Sequence, residues 1–276
     1  MGKLRDFIGS SPDLGLRTFS SIFIVAAIIG GIYFGGLVWS VVVSVIALLS
    51  LWEFRKLQSA YLDSSPILVM LAGLFILGGT AYGLITPMIV ICTVSAVAFI
   101  SLFIEVLKHQ GTGESDALVT IGADVAGIAY IVMPWTFLML IRSNEHGAFF
   151  LAALFICTWG CDVAAYFVGS HLGRHLLCSR VSPHKTWEGF IGGAAASLLC
   201  GAALSALFVL PPMPLVLLGL LCGIAGQLGD LGESVLKREA GVKDSGHLIP
   251  GHGGLLDRFD SILVNGTIAF IIFQLI

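Results

Sequence analysis

The sequence predicts an all-α polytopic membrane protein of about nine transmembrane helices, with its N-terminus in the cytoplasm and its C-terminus on the opposite side. Three observations predict this. Of 276 residues, 57% are hydrophobic and only 11% charged, with a mean hydropathy of +0.98, well above what soluble domains carry. Apolar stretches of about 20 residues recur along the chain, most without the polar face that a helix of a soluble core would show. Finally, of 14 Lys and Arg residues, all but Arg142 fall on alternate connections between those stretches, which orients the chain by the positive-inside rule.

In chain order the expected spans lie near 19–35, 36–52, 66–85, 87–107, 118–141, 148–170, 189–210, 214–232 and 259–276. The first two form a tight hairpin about Gly35-Gly36. The outer connections are short: Thr86-Pro87, "RSNEHG" at 142–147 and "PPMP" at 211–214. The chain therefore reads as a single integral membrane domain, 1–276. Its catalytic part is expected at about 148–276, with cytoplasmic loops at 171–188 and 233–256. Short loops and small size point to a bacterial inner membrane. The opening "MGKLRDFIGSSPDLGLRTFS" lacks a cleavage site of small residues, and Asp6 stands where myristoylation needs Ser or Thr.

Several classes are excluded. A net charge of −3 carries no footprint for nucleic acid. The six cysteines form no CxxC pair, so they read as apolar filler rather than as zinc ligands or a disulfide frame. No internal repeat is evident, which speaks against transporter folds built from repeats.

Ionisable residues inside spans are costly and mark function. Four acids qualify: Asp124, Asp162, Asp230 and Glu233, each in the half of its span nearer the basic loops. Asp230 and Glu233 are spaced i, i+3 on one helical face, and Lys237 comes after Glu233 at i+4. Gly223, Gly226, Gly229 and Gly232 recur every third residue and read as a close-packing face. The next stretch, "PGHGGLLDRFD", has a glycine loop opening a helix at about Leu255, an arrangement suited to phosphate. Asp257 and Asp260 come next, spaced i, i+3. Carboxylates beside phosphate-binding glycines read as ligands for Mg²⁺, which prefers one or two carboxylates plus substrate phosphates. Lys237, Arg238, Lys243 and Arg258 would meet the remaining phosphate charge.

In the other loop, "SRVSPHKTWEGFIGG", Ser182-Pro183 reads as a turn, Thr186 as a helix cap, Lys185 as a further phosphate contact and Trp187 as an interfacial anchor. His171, His175 and His184 lack ligand spacing and read as loop residues. The residues thus describe a membrane enzyme that handles a polyphosphate with a divalent metal at the cytoplasmic lipid surface. An ion or solute transporter is the rival, but acids gathered at one depth do not line a path.

The stretch from Ser234 to Asp260 resembles the signature of the CDP-diacylglycerol synthases, or phosphatidate cytidylyltransferases. It supplies Ser234, Leu236, Lys237, Arg238, Lys243, Asp244, Gly246, Ile249, Pro250, His252, Gly253, Gly254, Leu255, Asp257, Arg258, Phe259 and Asp260. "SPHKTWEG" resembles the second stretch of that family, with His184 where a lysine is common. The resemblance implies formation of CDP-diacylglycerol and pyrophosphate from CTP and phosphatidic acid, a Mg²⁺ requirement with room for a second cation, and a homodimer. It implies Asp230 and Asp257 as metal ligands, with Asp162 and Glu233 as further candidates. Lys237, Arg238, Lys243, Asp244, His252, Arg258 and Asp260 become the catalytic candidates. Ser182, Lys185, Glu188, Ser234, Gly253 and Gly254 become the substrate-binding ones. A related lipid cytidylyltransferase or a CTP-dependent lipid kinase is the neighbouring alternative.

Overall fold

A computed structural model describes residues 12–62, 64–246, 248 and 253–274, with side chains from Ser20 onward. Each expected apolar stretch is helical. α1 (Pro12–Phe34) and α2 (Gly36–Gln58) make the first hairpin; α3 (Ile67–Ala81) and α4 (Pro87–Thr112) come after it. α5 (Ala117–Gly127) runs through a π turn, Ile128–Val132, into α6 (Met133–Arg142). Then come α7 (Gly147–Leu172), strands β1 (Leu176–Cys178) and β2 (Ser182–Thr186), α8 (Trp187–Phe208), α9 (Pro212–Glu239), a 3₁₀ turn (Leu256–Arg258) and α10 (Asp260–Gln274). Six helical segments among the described residues are long and apolar enough to cross a membrane: α2, α4, α5–α6, α7, α8 and α9. The apolar stretches Ser20–Phe34, Ile67–Ala81 and Asp260–Gln274 are shorter. The protein is an all-α membrane protein whose one β element, among the described residues, is a small hairpin.

Local chemistry sets these elements. Gly35, at φ 62°, is the one residue between α1 and α2, and the Arg142 guanidinium fills the space a Cβ there would take. Arg142 Nε donates to Ile32 O at 2.7 Å, satisfying a carbonyl at the helix end. Thus the one basic residue expected on the outer side is tied to the α1–α2 turn. The π turn precedes Pro134, which has no N–H to return to the Tyr130 carbonyl, so the helix widens there.

α7, α8, α9 and α10 pack in sequence, and α10 also lies against α6 and α7. The glycines of α9 allow this closeness: a Cβ at Gly223 would meet Ala194 and Ser197, at Gly226 the Asn265 side chain, and at Gly229 Val264. Gly232 faces open space. The N-terminal helices join through α2, which touches α3, α6 and the 3₁₀ turn.

Three expectations need correction. The 171–188 loop is shorter than read, because α7 continues through His171. Beyond α7 the chain forms an antiparallel hairpin pairing Leu176 with Thr186 and Cys178 with Ser182. Ser182 and Pro183 therefore lie in β2, and the turn falls before them, where Val181 N donates to Cys178 O at 3.1 Å. The 233–256 loop likewise begins late, since α9 holds its helix to Glu239.

Candidate active site

Lys185, in the hairpin motif, and Asp230, on α9 four residues before the signature, meet in space. Lys185 Nζ lies 2.6 Å from Asp230 Oδ2, at a cavity of about 540 Å³ that Asp162, Tyr166, His184 and Gln227 also line. The hairpin that carries Lys185 is fixed by its helix cap: Thr186 Oγ1 accepts from Gly189 N at 3.2 Å, as the sequence predicts. Gly189 is small by necessity, because a Cβ would press to 2.8 Å from Ala165 O across the α7–α8 contact. One wall of the cavity is thus α7, the other α9, and the lid is β2.

A second cluster lies one turn further along α9. Lys237 Nζ sits 2.6 Å from Asp257 Oδ1 and 3.2 Å from Glu233 Oε1. All three are enclosed, with side-chain exposures of 12% for Lys237, 7% for Asp257 and 0% for Glu233. The other Asp257 oxygen, Oδ2, accepts from Ser245 N at 2.9 Å, Ser245 Oγ at 3.0 Å and Gly254 N at 2.9 Å. Burial pushes the Asp257 carboxyl up; the Lys237 ammonium and the backbone donors outweigh it and hold it below the usual carboxylate range. This ring also explains the paired glycines. Gly253 stands at φ 82°, a region closed to most residues. A Cβ on Gly254 would overlap Ser245 Oγ. The Gly254 N–H, expected to face phosphate, is instead spent on Asp257.

Between the clusters lie further acids. Asp260 opens α10, where its Oδ1 accepts from Ser261 N at 2.6 Å. The Tyr130 hydroxyl, carried on the π turn, is buried without a hydrogen-bond partner in the field of Glu233, Asp260 and Asp230. Both Glu233 oxygens also lack a hydrogen bond and rely on Lys237 for charge balance. An all-oxygen donor set, crowded with like charge and short of donors, has the chemistry of a hard-cation site. Among the described residues, however, no three of these groups converge into a ready ligand set. Lys185 and Lys237 supply the positive charge here.

Other expected site residues are more dispersed. Arg238 is exposed and donates to Val181 O and Val242 O, each at 3.3 Å, tying the hairpin to the end of α9. Lys243, Asp244 and Arg258 are exposed, and Asp244 borders Gly253. Ser234 reaches Asp230 Oδ1 at a long 3.5 Å. Ser182 sits in β2, away from the cavity lining. Glu188 is not brought to the cavity either: its oxygens take Arg174 N at 3.1 Å, His175 N at 3.2 Å and His175 Nδ1 at 2.6 Å, clasping the start of the hairpin. His252 lies outside the described residues. Asp124 is held apart on α5, paired with Arg55 at 3.2 Å and accepting from Ser101 Oγ at 2.6 Å.

The sequence reading missed two buried acids. Glu105 gathers Asp116 N, Ser115 Oγ and Thr120 Oγ1 at the α4–α5 turn, where it closes a connection. Glu53 reaches the signature loop itself, with Oε2 accepting from Leu256 N at 2.7 Å. Ending the second span at 52 put Glu53 in a loop; reading the apolar rhythm two turns further would have placed it in the helix as a span acid.

Comparison with known proteins identifies the family. The model of the "Cytidylyltransferase family" matches residues 15–276. A phosphatidate cytidylyltransferase of Staphylococcus aureus (strain COL) is 34% identical over 251 residues, covering 90% of this chain and 94% of the relative. One from Brucella suis biovar 1 (strain 1330) is 42% identical over 152 residues, 54% of this chain and 56% of the relative. With both motifs folded together at one end of the helical bundle and the family model spanning nearly all of it, this chain belongs to the cytidylyltransferase family of nucleotidyltransferases.

Proposed function

We propose that this protein is a CTP:phosphatidate cytidylyltransferase, making CDP-diacylglycerol and pyrophosphate for phospholipid synthesis. The observation that carries the reading is that Lys185 of the hairpin motif meets Asp230 on α9, four residues before the signature begins on the same helix, while within the signature Lys237 meets Asp257, at one end of a membrane bundle. A water-soluble nucleotide and a lipid headgroup can both reach that end. In this reading all nine helices cross a bacterial inner membrane, the N-terminus and the site face the cytoplasm, and two copies assemble.

The reaction joins a phosphate oxygen of phosphatidate to the α-phosphorus of CTP and breaks the α–β bridge, whose electron pair leaves with pyrophosphate. The nucleophile is already ionised, so no strong general base is required. Catalysis then rests on alignment and on neutralising two polyanions. In this reading Lys185 and Lys237 release their carboxylates and turn to phosphate oxygens, with Arg238, Lys243 and Arg258 adding charge at the rim. Asp230 and Asp257, with Asp162 and Glu233 near, would hold Mg²⁺, and Asp260 and Asp244 would bound the same space. Bound there, Mg²⁺ supplies charge neutralisation between nucleotide and lipid phosphate. Ser182, Ser234, Glu188 and the Gly253-Gly254 turn act through the hairpin and loop that frame the site.

The test is direct. Purified protein in detergent receives phosphatidate, Mg²⁺ and CTP labelled at the α-phosphate, with an EDTA control. Label entering the lipid only with metal and phosphatidate is the expected result. Label entering only from the γ-phosphate would replace this reading by a lipid kinase, and none from either would sink the enzyme reading. Asp230→Asn should abolish turnover with the fold kept, since Asp230 is about one third exposed at 34%.

A further inference from the structure

We propose that Glu53, on the N-terminal helix α2, is the positioning residue that sets the signature loop and thereby Asp257. Glu53 is 1% exposed, and among the described residues it has no ion pair with any Lys or Arg. A buried carboxylate without a cation is costly and persists only where donors satisfy it. Oε1 is buried without a hydrogen-bond partner, and the donors to Oε2 come from a loop about 200 residues away in sequence. Oε2 accepts from Leu256 N at 2.7 Å and lies 3.4 Å from Ser245 Oγ. Ser245 in turn gives its N–H, and shares its single hydroxyl proton, with Asp257 Oδ2 at 2.9 and 3.0 Å.

The chain of contact therefore runs Glu53, Ser245, Asp257, Lys237. A second observation shows how closely the loop is fitted to this strut: a Cβ on Gly246 would collide with the Glu53 carboxylate. The small residue in the signature at 246 thus answers to Glu53, and Leu256 is pinned directly beside Asp257. Glu53 touches none of the groups proposed to meet phosphate, so it acts through the loop. Its effect on turnover rests on the reaction proposed above; its effect on the loop does not.

The experiment uses full-length protein in micelles, with Glu53→Ala and Glu53→Gln beside wild type. Amide hydrogen exchange is measured in peptides covering 244–258 and, as reference, in α7 and α8. Glu53→Ala should speed exchange in 244–258 by about tenfold or more while α7 and α8 stay within about twofold. Its kcat should fall by about 10²-fold, the cost of misplacing a site by roughly 1 Å, with KM for CTP within about threefold. Glu53→Gln keeps the volume and one acceptor for Leu256 N–H, and should stay within about threefold of wild type in both readouts. Unchanged exchange in 244–258, equal acceleration in the reference helices, wild-type turnover by Glu53→Ala, or a Gln variant as impaired as Ala would each overturn the proposal. If wild type itself forms no cytidylylated lipid, the reaction reading fails and the exchange comparison alone decides the role of Glu53.

Discussion

Replacing Lys237 by Met separates the two jobs of that lysine. Among the described residues the ammonium is the one cation paired with Glu233, which is 0% exposed, and it bonds Asp257 at 2.6 Å. Met keeps the volume and removes the charge, leaving two enclosed carboxylates facing each other. Breaking a buried ion pair from one side costs about 3–5 kcal/mol, some 10²-fold or more in an unfolding equilibrium. Asp257 keeps three donors from Ser245 and Gly254, so most of that cost belongs to Glu233, whose oxygens have none. The double variant Lys237→Met with Glu233→Gln should then recover about half the loss. Unfolding titrated by SDS in mixed micelles, in EDTA, measures both, and lipid labelling measures turnover, which neither variant should restore. A single variant within about 1 kcal/mol of wild type, or a double variant no better than the single, would refute the charge argument.

Four further outcomes are expected. Arg55→Met strands Asp124, buried on both partners at 4% and 5% exposure, and should lose about 3 kcal/mol or more, while adding Asp124→Asn recovers part of it in the same titration. Thr186→Ala removes the α8 cap and should cost about 1 kcal/mol, with a larger proportional loss in CTP use than in stability, because Lys185 is the neighbouring residue. Gly254→Ala has no room beside Ser245 Oγ and should abolish turnover with accelerated proteolysis at 244–258, whereas Tyr130→Phe, which only deletes an unpartnered hydroxyl, should leave stability equal or higher and be read by a changed Mg²⁺ half-saturation.

Much of the site was legible in the sequence because spacing carries it. Glu233 and Lys237 at i, i+4 had to share a helix face, Thr186 before an apolar run had to cap it, and paired glycines ahead of Asp257 had to turn. What escaped was any contact between segments. The apolar rhythm, carried two turns further, places Glu53 in the helix as a span acid, but it names no partner for it. Glu188 looked equally free to meet a ligand until the hairpin folded His175 onto it. Ser182-Pro183 carries a turn-like pair that pairing with β1 overrides, since an edge strand tolerates a proline near its start.

By itself, the sequence determined the membrane solvent, the helical segments, the family and the residue types of the candidate site. Each of these depends on hydropathy or on spacing within about one helical turn, where the chain's own geometry fixes what meets what. The tertiary structure alone decided which opposite charges neutralise one another. Lys185 from a hairpin reaches Asp230 on α9, Lys237 reaches Asp257 beyond a loop, and Glu53 from the second helix holds that loop in place. Those pairings arise from helices brought together by glycine faces, a packing in three dimensions that local sequence does not encode.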